Sequence, residues 1–184
     1  EPENEYLKSK IKRYYEQFIQ KKKYCSIDRR LFNELKNLGL DKIVFDMQGY
    51  KSETDNYLMG RNEQARQASL KSLSDAHFEG LNIDVHFVPM KPNYKEILDL
   101  LELLEIIKVE QISLLNFLPQ GRGKFNAENL SLTQTDKQEF FEFLEKGKKI
   151  FSGNIRIGLS FQDVDTHQCN AGLEKLDIKF NFKY

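Results

Sequence analysis

Two hydrophobic periods take turns along this chain. One places apolar residues three and four apart, and the other is a short, nearly continuous apolar run. They mark amphipathic helices and buried strands. Between residues 4 and 23, Tyr6, Leu7, Ile11, Tyr14, Tyr15, Phe18 and Ile19 recur at helical spacing with lysines between them. Ser26 is placed to cap the next helix, with Asp28 in its first turn. Leu31, Leu35 and Leu38 line one face of that helix, and Gly39 ends it in the left-handed position. Ile43 to Met47 then reads as an apolar strand carrying one acid, Asp46, with Gln48-Gly49-Tyr50 as its C-terminal loop.

The plan repeats. After a polar stretch from Lys51 to Glu63, Ala65, Ala68, Leu70, Leu73 and Ala76 predict a helix over Gln64 to Glu79. Gly80 closes it, and residues 81–88 read as a strand. Pro89 and Pro92 break the chain, and a helix follows to Ile107 with Ile97, Leu100, Leu101, Leu104 and Ile107 inward. The next strand, within 109–118, is apolar over Ile112 to Leu118 except for Ser113 and Asn116, which suits burial on both faces. Pro119 stops it, and Gln120-Gly121-Arg122-Gly123 leaves its C-terminal end as a ligand loop or a plain polar turn. A helix over Gln138 to Phe151 and a strand over Ile155 to Phe161 come next. A polar stretch at 163–172 leads to an alternating edge or hairpin strand at 175–184.

Strands and helices alternating at roughly 30 to 40 residues per unit indicate parallel βα units with right-handed crossovers. Four such units make half a barrel, an open sheet, or part of something larger. The expected fold class is α/β, a partial TIM-type (β/α) barrel with parallel strands, outer helices and a short C-terminal β segment.

Composition narrows the function. Lys plus Arg and Asp plus Glu both number 28 in 184 residues, so nothing global points to nucleic acid or an anionic membrane. No apolar run has the length of a membrane span, and no signal peptide is visible. Cys25 and Cys169 are too few for a disulfide scaffold and fit a reduced, cytoplasmic setting. The basic run Lys21 to Lys23 fits a solvated helix end. The chain opens on Glu1 rather than Met, as expected of a fragment or of a set of ordered segments from a longer protein.

Several segments together resemble the radical S-adenosylmethionine (radical SAM) family. They are Val85-His-Phe-Val-Pro-Met-Lys-Pro-Asn93 with Glu96-Ile97, and Leu115-Asn-Phe-Leu-Pro-Gln-Gly-Arg-Gly123, which is similar to the strand ending "RFVPQGRG". Cys169-Asn-Ala-Gly-Leu-Glu-Lys-Leu-Asp-Ile178 resembles "CxAGxxKLxI" of members with auxiliary clusters of the SPASM or twitch type. Gly39 to Gly49 resembles the strand ending "SLDG", with Asp46 at its Ser and Gln48 at its Asp. Gly60-Arg61 matches the "RGR" that opens the following helix, whereas Asn116 replaces the Arg of "RFVPQ". The defining CxxxCxxC loop of the [4Fe–4S] cluster is absent, so the cluster-binding half is either missing from this chain or lost.

The helical spacing marks 1–25 as an N-terminal helix that does not resemble the family, and the resemblance implies a partial radical SAM-like barrel at 26–162 and the start of an auxiliary segment at 163–184. It implies S-adenosylmethionine and a [4Fe–4S] cluster as cofactors, and an oxidoreductase or maturase that starts hydrogen abstraction. The substrate, a small molecule or a peptide, is not specified. The alternatives are a cluster-free binding or scaffold domain and an unrelated nucleotide-binding α/β protein.

By the same resemblance Asp46 faces the ribose of the cofactor. A structural ion pair with a lysine is the other reading, since an unpaired carboxylate in an apolar strand is expensive. Gln48 is carried with it. Asn93 lies near the cofactor, or else caps the helix after it. Gln120 and Gly121 cradle the adenine or methionine end. Cys169 is a candidate auxiliary cluster ligand, and its pairing with His167 suggests metal without completing a site. His86 points into the barrel or is a core histidine.

Overall fold

The computed structural model describes residues 29–119 and 122–158. The predicted helix at 4–23, the C-terminal β segment, Gln120, Gly121, His167 and Cys169 lie outside these residues.

The elements run α1 (Arg29–Asn37), β1 (Lys42–Asp46), α2 (Ser52–Met59), α3 (Glu63–Phe78) and β2 (Asn82–Phe87). A 3-10 turn at Tyr94–Glu96 leads into α4 (Ile97–Ile107), followed by β3 (Gln111–Leu114). Two single-turn helices, α5 (Arg122–Phe125) and α6 (Ala127–Leu130), precede α7 (Gln134–Gly147) and β4 (Asn154–Ile157).

Local chemistry sets several boundaries. α1 ends before Gly39, whose φ of +90° is the left-handed conformation expected there. Its buried residue is Phe32, whereas Leu38 of the predicted stripe is largely outside the core. α3 starts where the Asn62 side chain accepts from the amide of Ala65 at 3.0 Å. α7 starts four residues earlier than its apolar stripe predicts. A capping box, in which Thr133 and Asp136 each bond the other's backbone N–H, satisfies its first turn. α2 falls in the stretch that reads as merely polar. β3 stops at Leu114, short of the predicted 118.

The four strands pair in parallel in the order β1-β2-β3-β4, forming an open sheet among the described residues. Its two faces differ. Ile43, Phe45, Met47, Ile83, Val85, Phe87, Ile112, Leu114, Ile155 and Ile157 belong to one apolar core. Phe32 of α1, Leu73 and Ala76 of α3, Leu100, Leu101 and Leu104 of α4, and Phe140 and Leu144 of α7 share that core. The alternate strand positions carry Lys42 and Asp46, Asn82, Asp84 and His86, Gln111 and Ser113, and Asn154 and Arg156. With period two, one face is built for helices and the other for polar groups. Val44, the apolar member of this second face on β1, is 46% exposed. The central strands are buried on both sides, as expected for β3, but on the second side the buried groups are Asp84 and Ser113.

Candidate functional site

Parallel strands bring their C-terminal ends to one rim, the usual place for sites in α/β folds. Here the rim is Asp46, Phe87, Leu114 and Ile157 with the segments that follow each. Met47 N–H donates to His86 O at 3.1 Å and Leu115 N–H to Phe87 O at 2.8 Å, so the pairing extends past the strands into the loops.

Gln48 and Asn93 meet on this rim, although 45 residues separate them. Gln48 Oε1 accepts from Val88 N–H at 2.9 Å. Asn93 Nδ2 donates to Gln48 O at 2.9 Å and to Val88 O at 3.0 Å, while its Oδ1 accepts from Met90 N–H at 2.6 Å. Asn93 is fully buried and Gln48 nearly so. Both side-chain polar atoms of Asn93 are therefore engaged: they fold the loop after β2 onto itself and, through Gln48 O, fasten it to the loop after β1. Its side chain does not cap the helical turn that follows. Both residues hold the backbone of these loops in place.

Two acids that were not among the candidate site residues, Asp55 and Glu96, complete this bracing. Asp55, in the first turn of α2, is fully buried and accepts from Gln48 N–H at 2.7 Å. Arg61 donates to its Oδ2, through Nε at 3.1 Å and through its terminal nitrogen, and Arg66 Nε lies 3.6 Å from the same oxygen. Arg66 also donates to Tyr50 O at 2.8 Å. Glu96, from the segment after the neighbouring strand β2, accepts from Lys51 N–H at 2.9 Å and from Thr54 Oγ1 at 2.6 Å. It supplies the start of α2 with an acceptor that the N-cap residue Lys51 does not. Gly49 threads between these acids. A Cβ there would sit 3.0 Å from Asp55 N and 3.1 Å from Glu96 Oε2, which explains a glycine at that point. The signal for both acids was faint: an Asp and a Glu that open helical segments next to predicted strand ends.

Asp46 differs from all of these. Its side chain is 62% exposed at the end of β1, and its charged neighbour is His86, with Nδ1 3.9 Å from Oδ1. The group within ion-pair reach is thus a histidine, which pairs only when protonated, and not the lysine weighed in the sequence. Behind it, Asp84 is nearly fully buried. It accepts from Ser113 Oγ at 3.0 Å and Gln111 Nε2 at 2.7 Å, and it pairs with Lys42 Nζ at 3.0 Å. His86 is partly exposed on the polar face, so it is not a core histidine.

Outward of the rim, Tyr94 anchors the 3-10 turn to α7 through Glu139 at 2.7 Å and Asp136 at 3.1 Å. Burial, reinforced by the bond to Glu139, pushes its phenol up to about 12. Among the described residues no group of three His, Cys, Asp or Glu side chains is placed to hold a metal ion. Nor is any helix among them long and apolar enough to cross a membrane.

No family model and no curated protein matches the chain. Solved structures do. Streptococcus suis SuiB bound to S-adenosylmethionine is 15% identical with a TM-score of 0.52, over 75% of this chain and 30% of that one. SuiB bound to precursor peptide SuiA is 15% identical with a TM-score of 0.50, over 65% and 27%. The chain therefore spans less than a third of the length of these neighbours and shares their fold.

Proposed function

We propose that this chain is the nucleoside-binding part of a radical SAM-type fold, with the C-terminal rim of the sheet facing S-adenosylmethionine. The observation that carries the reading is the exposed Asp46 carboxylate, set on a rim whose loops are braced by Gln48, Asn93, Asp55 and Glu96. An exposed carboxylate accepts from vicinal ribose hydroxyls, and stiff loops with free backbone groups suit an adenine edge. The resemblance of Val85 to Asn93 and of Leu115 to Gly123 to family segments supports the same assignment. So does the fold shared with SuiB, one structure of which holds that cofactor. Gln120 and Gly121, just past β3, are assigned to the same rim by the family pattern.

A radical SAM cluster would supply the electron that cleaves the cofactor, but the described residues hold no ligand set for it. The two cysteines of the chain also fall short of the three thiolates that such a cluster takes. No cluster-dependent step is assigned to this chain, and hydrogen abstraction belongs to a complete enzyme of this kind. Cys169 keeps its assignment as an auxiliary cluster ligand within the proposed segment 163–184.

Without a cluster to anchor the methionine end, the expected affinity is weak, in the millimolar range. Amide NMR with S-adenosylmethionine reads such binding directly. Shifts clustered at Asp46 to Tyr50, Val88 to Met90 and Leu115 to Gly123 are expected. Shifts confined to the opposite rim, at Asp41, Gly80 and Glu110, or no shifts at millimolar cofactor, would overturn the assignment.

A further inference from the structure

The polar face of the sheet places a histidine between two carboxylates. His86 Nδ1 faces Asp46 Oδ1 and Nε2 faces Asp84 Oδ2, each at 3.9 Å, and the ring is 21% exposed. At this distance neither contact is a hydrogen bond: a neutral imidazole draws neither acid by charge and has one N–H to close on one of them, whereas an imidazolium attracts both and has an N–H for each. The two acids are not equivalent. Asp84 already has Ser113, Gln111 and Lys42 as partners. Asp46 has His86 as its charged neighbour within ion-pair distance among the described residues. The charge on the ring therefore matters most to Asp46.

We propose that His86 is a proton-operated gate of the rim: when protonated it engages Asp46, and when neutral it leaves that carboxylate to accept from a ligand's vicinal hydroxyls. This rests on the reading of the rim as a nucleoside site and adds its regulation. A proton from solvent enters the ring on acidification and leaves on neutralisation. No other bond changes.

Among the described residues, the following charged groups around the ring bear on how strongly the gate couples. From β1 come Asp46, which favours the imidazolium, and Lys42, which opposes it but sits 3.0 Å from Asp84. From β2 comes Asp84. From β3 come the neutral Gln111 and Ser113. From β4 comes Arg156, beyond Ser113 in the register and opposing. The helices share the core of the other face. Asp46, solvent-exposed and without a cation of its own in the face among the described residues, is thus the partner whose removal should be felt at the ring.

The test has two arms. Imidazole NMR of the whole chain follows His86, assigned with His86→Gln. The titration midpoint should fall by about half a pH unit in Asp46→Asn, the size expected for a partly screened neighbouring charge. The Asp46 side-chain signal of the wild type should move with the same midpoint. An unchanged midpoint in Asp46→Asn overturns the gate, whatever binds at the rim. The second arm measures the affinity for S-adenosylhomocysteine, which lacks the sulfonium charge, on both sides of that midpoint. About threefold weaker binding on the acid side is expected in the wild type and none of this dependence in His86→Gln. Weakening seen with S-adenosylmethionine alone would mean simple repulsion of its sulfonium and would also overturn the gate. Absence of binding by either compound at any pH, with the coupled titration intact, refutes the nucleoside rim and the ligand half of the gate, but not the Asp46–His86 coupling.

Discussion

Replacing Asp55 by alanine should cost this fold more than any exposed charge it carries. The carboxylate is fully buried and is approached by Arg61, whose side chain is 14% exposed, and Arg66, which is 8% exposed. Removing it strands the Arg61 guanidinium in a region that excludes most water and leaves Arg66 with Tyr50 O and the half-exposed Glu63. It also strips Gln48 N–H of its acceptor, held at 2.7 Å. Breaking a buried ion pair from one side costs about 3–5 kcal/mol, because the surviving charge stays desolvated. Losing the acceptor of a buried N–H adds about 1–3 kcal/mol when it acts alone. The two losses share one carboxylate and do not add, so a total of about 3–5 kcal/mol is expected. A domain has about 5–15 kcal/mol to lose, which makes this a large fraction. With a urea slope of about 2 kcal/mol per molar, the unfolding midpoint should fall by about 1.5–2.5 M. Urea titration followed by circular dichroism measures this directly. Asp55→Asn, which retains an oxygen for Gln48 N–H, should lose less. The exposed pair Lys71–Asp75, with Lys71 59% exposed, provides the contrast. There, Lys71→Ala should change stability by less than about 1 kcal/mol. If Asp55→Ala behaves like Lys71→Ala, the carboxylate is not desolvated and does not brace the rim.

Two further outcomes are expected. Asn93→Ala removes two buried hydrogen bonds, to Met90 N and Gln48 O, and a partly buried one to Val88 O, and should cost about 2–3 kcal/mol. Hydrogen exchange should quicken at Met90 N–H, and unchanged protection there would contradict the bracing role. Glu105, held down to about 2 by Lys108 and then by the backbone and side chain of Ser152, ties the end of α4 to the turn before β4. Its folded value lies below the ordinary 4.5, so its contribution is present above that value and is lost as pH falls from about 4.5 through about 2. Glu105→Gln should therefore flatten the acid limb of a stability–pH curve, and an acid limb identical to that of the wild type would refute the linkage.

How legible the candidate site was depends on what each residue answers to. Asp46 could be chosen from sequence because an acid at the end of an apolar strand is conspicuous, and the structure does leave it exposed on the rim. Gln48 and Asn93 were chosen by family pattern. Their mutual hydrogen bond was invisible, because nothing local to either residue records a partner 45 positions away. Asp55 and Glu96 were not chosen at all. α2 was missed because its apolar stripe is weak and its first turn is supported by Glu96 from outside the segment.

The sequence alone determined the order and kind of the main elements. Helical and strand periods are local properties, and Gly39, Gly80 and the prolines punctuate them within a few residues. It also implied parallel strands joined in chain order, because βα units leave few other routes. The alternation Asn82, Asp84, His86 against Ile83, Val85, Phe87 even carried the two-faced character of β2, though that run reads at first as simply buried. Only the tertiary structure decided which polar groups share an environment. Asp84 finds Ser113 and Lys42, Asp55 finds Arg61 and Arg66, and Asp46 finds His86. Several of these partners sit on neighbouring strands, and their effect depends on how far the assembled sheet and loops exclude water, a property that no single segment of the chain possesses.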